Sequence, residues 1–219
     1  MIDLYTWATP NGRKVSIALE ELGLPYAVFP INIAEGEQFS DEFTAISPNQ
    51  KIPAIVDREN GMTLMESGAI LMYLADKAGR LLPADPIHYW NTVQWLMWQK
   101  SAFGPVLGLA LHYLKFNPGR SAYSEEHIRK ETHRLYAVLD SQLASRRYII
   151  GDHYTIADIA TWPWVARHEY QTVDLEDYPQ VLDWYLRIAE RPAVQAGWAV
   201  PMRDDVPVPH GERSIALSP

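Results

Sequence analysis

The chain has 219 residues, a formal net charge of −8 and no cysteine, and 47% of its residues are hydrophobic. That is enough to bury a substantial core in one large domain or two small ones. The absent thiols exclude a disulfide scaffold, a thiolate metal site and a catalytic cysteine of its own; the chain has no run of about 18 apolar residues and no dense Lys/Arg block, so neither a membrane span nor a nucleic-acid surface is expected.

Met1-Ile2-Asp3-Leu4-Tyr5 carries neither a basic region nor a long apolar stretch, so no secretory leader is expected, and a cytoplasmic location fits the lack of cysteine. Ile2–Tyr5 reads as a short buried strand. From Asn11 to Leu22 the apolar residues Val15, Ala18, Leu19 and Leu22 fall at helical spacing, and Gly23 supplies the helix stop. A second strand is expected over Tyr26–Ile33 and a short helix or turn over Phe43–Ile46. Ala54–Asp57 and Met62–Met65 read as a hairpin about the turn Glu59-Asn60-Gly61, and Ser67–Ala78 as a helix stopped by Gly79. The order β-α-β-α-β-β-α is that of the thioredoxin fold. After a connection over Arg80–Pro86 the pattern becomes all-helical: His88–Leu114 (with a kink near Gly104-Pro105), Glu125–Leu143, Thr155–Ala166 and Pro179–Ile188. The expected organisation is an α/β thioredoxin-like domain over residues 1–80, an all-α domain over 87–199 with the boundary near 83, and an extended, proline-rich tail over 200–219.

Thr155-Ile156-Ala157-Asp158 is a helix start in which Thr155 caps and Asp158, at the third helical position, returns a bond to the cap, with Tyr154 and Ile159 as a hydrophobic staple. This makes Asp158 a structural carboxylate rather than a catalytic one.

Two places suit an anionic ligand. Trp7-Ala8-Thr9-Pro10-Asn11-Gly12 leads from the first strand into the first helix, whose free N–H groups and dipole favour negative charge. A thiolate held there would be stabilised, with Thr9 offering a hydroxyl and Asn11 an amide; the alternative is a plain helix cap satisfied by Asn11. At Glu66-Ser67, the serine hydroxyl caps the next helix beside another set of free N–H groups, and the glutamate can pair with an ammonium. Together these suit a ligand carrying an amino and a carboxylate group on one carbon, as a γ-glutamyl group does. Arg13, Lys14 and Lys51 either supply local positive potential against the acidic background or are solvated surface charges. Tyr5 and the tryptophans Trp90, Trp95, Trp98, Trp162 and Trp164 read as packing residues.

These motifs, with Gln38-Phe39, Ile46-Ser47-Pro48-Asn49, Lys51-Ile52-Pro53-Ala54-Ile55-Val56-Asp57, Gln94-Trp95-Leu96-Met97-Trp98-Gln99 and Asp158-Ile159-Ala160-Thr161-Trp162-Pro163-Trp164, resemble the bacterial nu-class glutathione transferases and the related Ure2-like proteins over nearly the whole chain except the tail. The resemblance implies that Thr9 and Asn11 contact the glutathione sulfur, and that Gln38, Lys51, Ile52, Pro53, Glu66 and Ser67 hold the rest of glutathione. It also implies a cis Ile52–Pro53 bond that exposes Ile52 to pair with the cysteinyl part of the ligand. It places a second-substrate pocket at Phe103, Leu107, His112 and Tyr113, and an assisting arginine at a position where this chain has His127, with Arg129 or Arg134 as replacements. The implied protein is a homodimeric, metal-free enzyme that binds reduced or oxidised glutathione and reduces disulfides, with some conjugation of electrophiles. The competing readings are a non-catalytic or regulatory glutathione-binding protein and a glutathione-dependent dehalogenase or isomerase.

Overall fold

A computed structural model of the protein describes residues 1–207. Four strands, β1 (Ile2–Thr6), β2 (Tyr26–Pro30), β3 (Ala54–Asp57) and β4 (Met62–Met65), form one sheet in the order β2-β1-β3-β4. β1 runs parallel to β2, with Leu4 opposite Val28, and antiparallel to β3, with Leu4 opposite Ile55. The parallel pair is joined by α1 (Pro10–Leu22), which ends at Gly23 in the left-handed conformation, φ 66°. β2 stops three residues before the expected Ile33. Pro30 is its last residue, and after Ile31 N donates to Thr6 O the chain turns at Asn32. The short helix α2 (Asp41–Ile46), capped by Ser40, leads to β3, and α3 (Ser67–Ala78) closes the unit at Gly79.

The second half is helical throughout. α4 (Pro86–Trp98) runs through a π-helical segment, Gln99–Phe103, into α5 (Gly104–Ala110) and then a second π-helical segment, Leu111–Phe116. The kink expected near Gly104-Pro105 is thus a π insertion just before those residues. α6 (Ala122–Leu143) starts three residues earlier than the apolar stripe suggested, because Ser121 caps it by accepting from Ser124 N at 3.3 Å. α7 (Ile156–Val165), α8 (Pro179–Ala189) and α9 (Pro192–Trp198) complete the bundle.

The sequence reading missed α9, which fixes how the two halves meet. It lies against α1 so closely that a Cβ on Gly197 would stand 2.5 Å from the Ile17 backbone, and Ser16 Oγ donates to Gly197 O at 2.6 Å. The guanidinium of Arg13 lies 3.6 Å over the Trp198 ring. One continuous core runs from Leu4 and Ile17 on the sheet side to Trp162, Trp184 and Trp198 among the helices. The buried box at the start of α7 ties this core to its loops. Asp158 accepts from Thr155 N and, beyond the expected box, from Ile149 N and Trp184 Nε1, each at 2.9 Å. Burial pushes its carboxyl up to about 6 despite these donors.

Tyr5 packs, stacked on Phe29 at 4.9 Å between ring centres. Trp90 does not: it is 65% exposed on α4. Of the tail, residues 203–207 have no regular secondary structure and are held by Arg13 to Asp204, Trp198 Nε1 to Asp205 O and Tyr185 to Pro207 O. The rest of the extended tail expected from the sequence, 208–219, lies outside the described residues.

Candidate functional site

Two adjoining cavities open in the cleft where α1, α3 and the β3 approach face the α4–α5 rod. One, of about 170 Å³, is lined by Asn11, Lys51, Ile52, Pro53, Glu66, Ser67 and Lys100, together with Ser47, Asn49 and Met65. The other, of about 270 Å³, shares Asn11, Lys51 and Lys100 with it and adds Lys14, Gln99, Gly104, Pro105, Gly108 and Trp164.

At the start of α1 the cap is Thr9, not Asn11. Its backbone is extended and its Oγ1 accepts from Gly12 N at 3.1 Å. A hydroxyl that accepts in this way still has its own proton to donate. Asn11, the second helical residue, is held from across the molecule, since Trp164 Nε1 lies 3.3 Å from Asn11 Oδ1. An indole N–H only donates, so the carbonyl of Asn11 must face Trp164 and its NH₂ turns away from the indole as a free donor at the positive end of the helix. Gly12 belongs to the same turn: a Cβ there would lie 2.2 Å from Trp7 O, so the loop closes on the helix only with glycine.

The Ile52–Pro53 bond is cis. Among the described residues the backbone N–H and C=O of Ile52 have no intrachain partner, so both are open to a ligand lying along this edge. Glu66 is the N-cap of α3 and has φ 69°, a conformation uncommon for a residue with a side chain. This corrects the sequence assignment: Ser67 is the first helical residue, no side chain caps the helix, and the Ser67 hydroxyl accepts instead from Lys100 Nζ at 3.2 Å. Lys100 also meets Glu66 Oε2 at 3.0 Å.

Of the three cations weighed from sequence, only Lys51 is at the surface. Arg13 and Lys14 are both buried, 1% exposed. Lys14 donates to Gln99 Oε1 at 2.8 Å, and burial, aided by the charge of Lys100, holds its ammonium well below the usual lysine range. Among the described residues Gln99 Nε2 is buried without a partner, at the wall where Gly104 leaves room for it.

Gln38 stands apart in a short 3₁₀ turn, Glu37–Phe39, and lines neither cavity. Phe103 and Leu107 also do not: both are fully buried in the core, Phe103 packed at a tilt between Trp98 and Tyr136. The π segment turns them inward and presents Gly104, Pro105 and Gly108 to the cleft in their place. His112 and Tyr113 pack edge to face at 5.0 Å further along the rod, also outside the two cavities. His127 stacks on Tyr123 and Arg134 pairs with Glu131; neither these nor Arg129 lines the cleft. Trp164, Gln99 and Lys100 were not singled out as site residues from sequence. Trp164 and Gln99 do lie in two of the motifs quoted from the sequence, where Trp164 reads as packing, and Lys100 follows one of them directly.

Comparison with known proteins follows this geometry. The glutathione S-transferase N-terminal domain matches residues 1–76 and the C-terminal domain residues 105–192. The chain is 45% identical over 198 residues to the disulfide-bond oxidoreductase YfcG of Escherichia coli, covering 88% of this chain and 92% of that one. It superposes with a TM-score of 0.88 and 39% identity on a Burkholderia graminis glutathione transferase solved with two glutathione molecules per subunit, covering 93% of this chain and 89% of that one. A Pseudomonas putida glutathione transferase holding one glutathione disulfide per subunit gives 0.87 and 40%, with 91% of each chain covered. The chain belongs to the glutathione S-transferase family. Within it, the similarity runs to proteins of the disulfide-bond oxidoreductase and Ure2 kind.

Proposed function

We propose that the protein binds glutathione in this cleft, activates the thiol as a thiolate and uses it chiefly to reduce disulfide bonds, with some conjugation of electrophiles. The observation that carries the reading is the Asn11 amide, turned by Trp164 so that its NH₂ faces away from the indole at the α1 N-terminus beside the Thr9 hydroxyl. A thiol there is stabilised as its anion by two neutral donors and a helix dipole. Glu66 and Ser67 take the γ-glutamyl ammonium and carboxylate, Ile52 pairs with the cysteinyl backbone and Lys51 supplies positive charge; Gln38 completes the glutathione-binding set taken from the resemblance.

The chain has no cysteine, so every thiol comes from the ligands. The bound thiolate attacks one sulfur of a disulfide, forming a mixed disulfide and expelling a thiolate that takes a proton. A second glutathione then attacks the mixed disulfide, leaving glutathione disulfide and the second reduced thiol. Hydrogen bonds from neutral donors keep the sulfur close to ambient pH in its affinity for protons, where attack on a disulfide is fastest. The larger cavity has room and donors for the second, anionic thiol: Lys14, Lys51, Lys100 and Gln99 line it beside Trp164 and Pro105.

The same reading makes residues 1–80 the glutathione-binding domain, 87–199 the helical domain and 200–219 a tail, in a cytoplasmic homodimer packed along α3 and α4. Ile87, Trp90 and Met97 on α4, 74%, 65% and 46% exposed, support such an interface. Light scattering at micromolar concentration should give the dimer mass. The functional test is reduction of 2-hydroxyethyl disulfide by glutathione, compared with conjugation of a chloronitrobenzene. Disulfide turnover should be the larger, and Thr9→Ala and Asn11→Ala should each lower it by about tenfold or more. Strong conjugation without disulfide turnover would refute the proposal.

A further inference from the structure

In this structure the groups suited to a ligand's ammonium and carboxylate are occupied by a residue from the other half of the chain. Lys100 leaves the helical rod at the second residue of the Gln99–Phe103 π segment. Its stem lies along Gly68, where a Cβ would stand 3.1 Å from Lys100 Cγ and 3.3 Å from Cδ. Its Nζ reaches Glu66 Oε2 at 3.0 Å and Ser67 Oγ at 3.2 Å. An ammonium held between this carboxylate and this hydroxyl is in the position an α-amino group would take.

Two ammonium ions compete poorly for one carboxylate. Among the described residues Glu66 is the sole carboxylate lining either cavity, against Lys14, Lys51 and Lys100. Lys100 lines both cavities, and its four-carbon stem can carry the charge from one to the other. Once an incoming ammonium neutralises Glu66, Lys51 and Lys100 face no further carboxylate among the described residues lining the cleft. The second cavity, lined by Lys51, Lys100 and the Gln99 Nε2 donor that has no partner among the described residues, then favours an anion.

We propose that Lys100 is a displaceable stand-in for the ligand's ammonium, and that filling the first cavity turns Lys100 into the second, where it becomes the cationic partner of a second anionic ligand. The first ligand breaks an ion pair and the second gains one, so occupancy of the two cavities is positively coupled. This rests on the glutathione reading above and adds to it an order of binding set by one residue.

The test is calorimetric titration of the full chain, as wild type, Lys100→Met and Lys100→Gln, with reduced glutathione. Both variants should bind the first equivalent about threefold more tightly, since a partly exposed ion pair no longer has to be broken, and the second about tenfold or more weakly, having lost a charged donor. An analogue of glutathione lacking the α-amino group cannot displace Lys100. With its first cavity filled by that analogue, the wild type should take the second equivalent no better than the variants do. Weakening of both steps together would show that Lys100 holds the first ligand directly, and unchanged binding would show that it does neither; each overturns the proposal. Absence of any glutathione binding by the wild type would overturn the underlying reading as well, and wild type alone reveals it.

Discussion

Replacing Asp158 with alanine removes a carboxylate on which four donors converge: Thr155 N, Ile149 N and Trp184 Nε1, each at 2.9 Å, and Thr155 Oγ1 at 3.2 Å. The hydroxyl can turn elsewhere, but the other three are left buried and unpaired. At about 2 kcal/mol each, the middle of the range for an orphaned buried donor, the loss is about 6 kcal/mol. Against it stands the cost of keeping a charge in the interior. Burial raises the carboxyl from 3.8 to about 6, which corresponds to about 3 kcal/mol at neutral pH. The net expectation is a loss of about 3 kcal/mol, or a fall in Tm of about 6–12 °C for a chain of this size. The pH dependence follows from the direction of the shift. A carboxyl whose folded pKa lies above its unfolded value favours the native state most when protonated, below about pH 4. That contribution declines as pH rises to about 6 and is then constant. The variant lacks it, so the Tm gap between wild type and variant should widen by about 1 kcal/mol equivalent on going from pH 7 to pH 5. Scanning calorimetry at both pH values, with turnover measured on the folded variant at 25 °C, tests each part. A gap that stays constant or narrows at pH 5 would refute the argument from burial. Lost turnover at an unchanged Tm would make Asp158 catalytic.

Trp164→Phe keeps the packing but frees the Asn11 amide to flip; disulfide turnover should fall about fivefold, in line with one neutral hydrogen bond, while glutathione affinity changes less, and an unchanged kcat would mean Asn11 needs no orienting. Ser67→Ala should weaken glutathione binding by about 1–3 kcal/mol by calorimetry, because the ligand carboxylate loses a donor; equal affinity would remove the γ-glutamyl site. Gly197→Ala forces a methyl into the Ile17 backbone 2.5 Å away, so α9 must lift from α1; a Tm loss of less than 2 °C, against an expected cost of about 2 kcal/mol or more, would show the approach to be looser than described.

Local chemistry made much of this protein legible in its sequence. Gly23 and Gly79 end helices because each sits in a left-handed conformation a glycine adopts freely. Thr155 and Asp158 build their box within one turn, and apolar spacing sets the order of strands and helices through the first half. The Thr9, Ile52-Pro53 and Glu66-Ser67 segments were legible as motifs because each is a run of adjacent residues. What tertiary structure alone decided is the partner of each of these groups. Asn11 is aimed by Trp164, 153 positions away, Lys14 by Gln99, 85 away, and Ser67 is engaged by Lys100, 33 away. None of these pairs lies within reach of a helical or strand period. The π insertion after Trp98 is equally invisible to a 3.6-residue period; Phe103 and Leu107, which the resemblance had placed at a pocket, are buried in the core. α9 was missed because seven residues are too few for a clear pattern, and its packing depends on the absence of a side chain at Gly197. Sequence fixes what the chain can do within a turn or two, where geometry follows from covalent neighbours; which donor meets which acceptor across the cleft is fixed only when the two halves close on a common core.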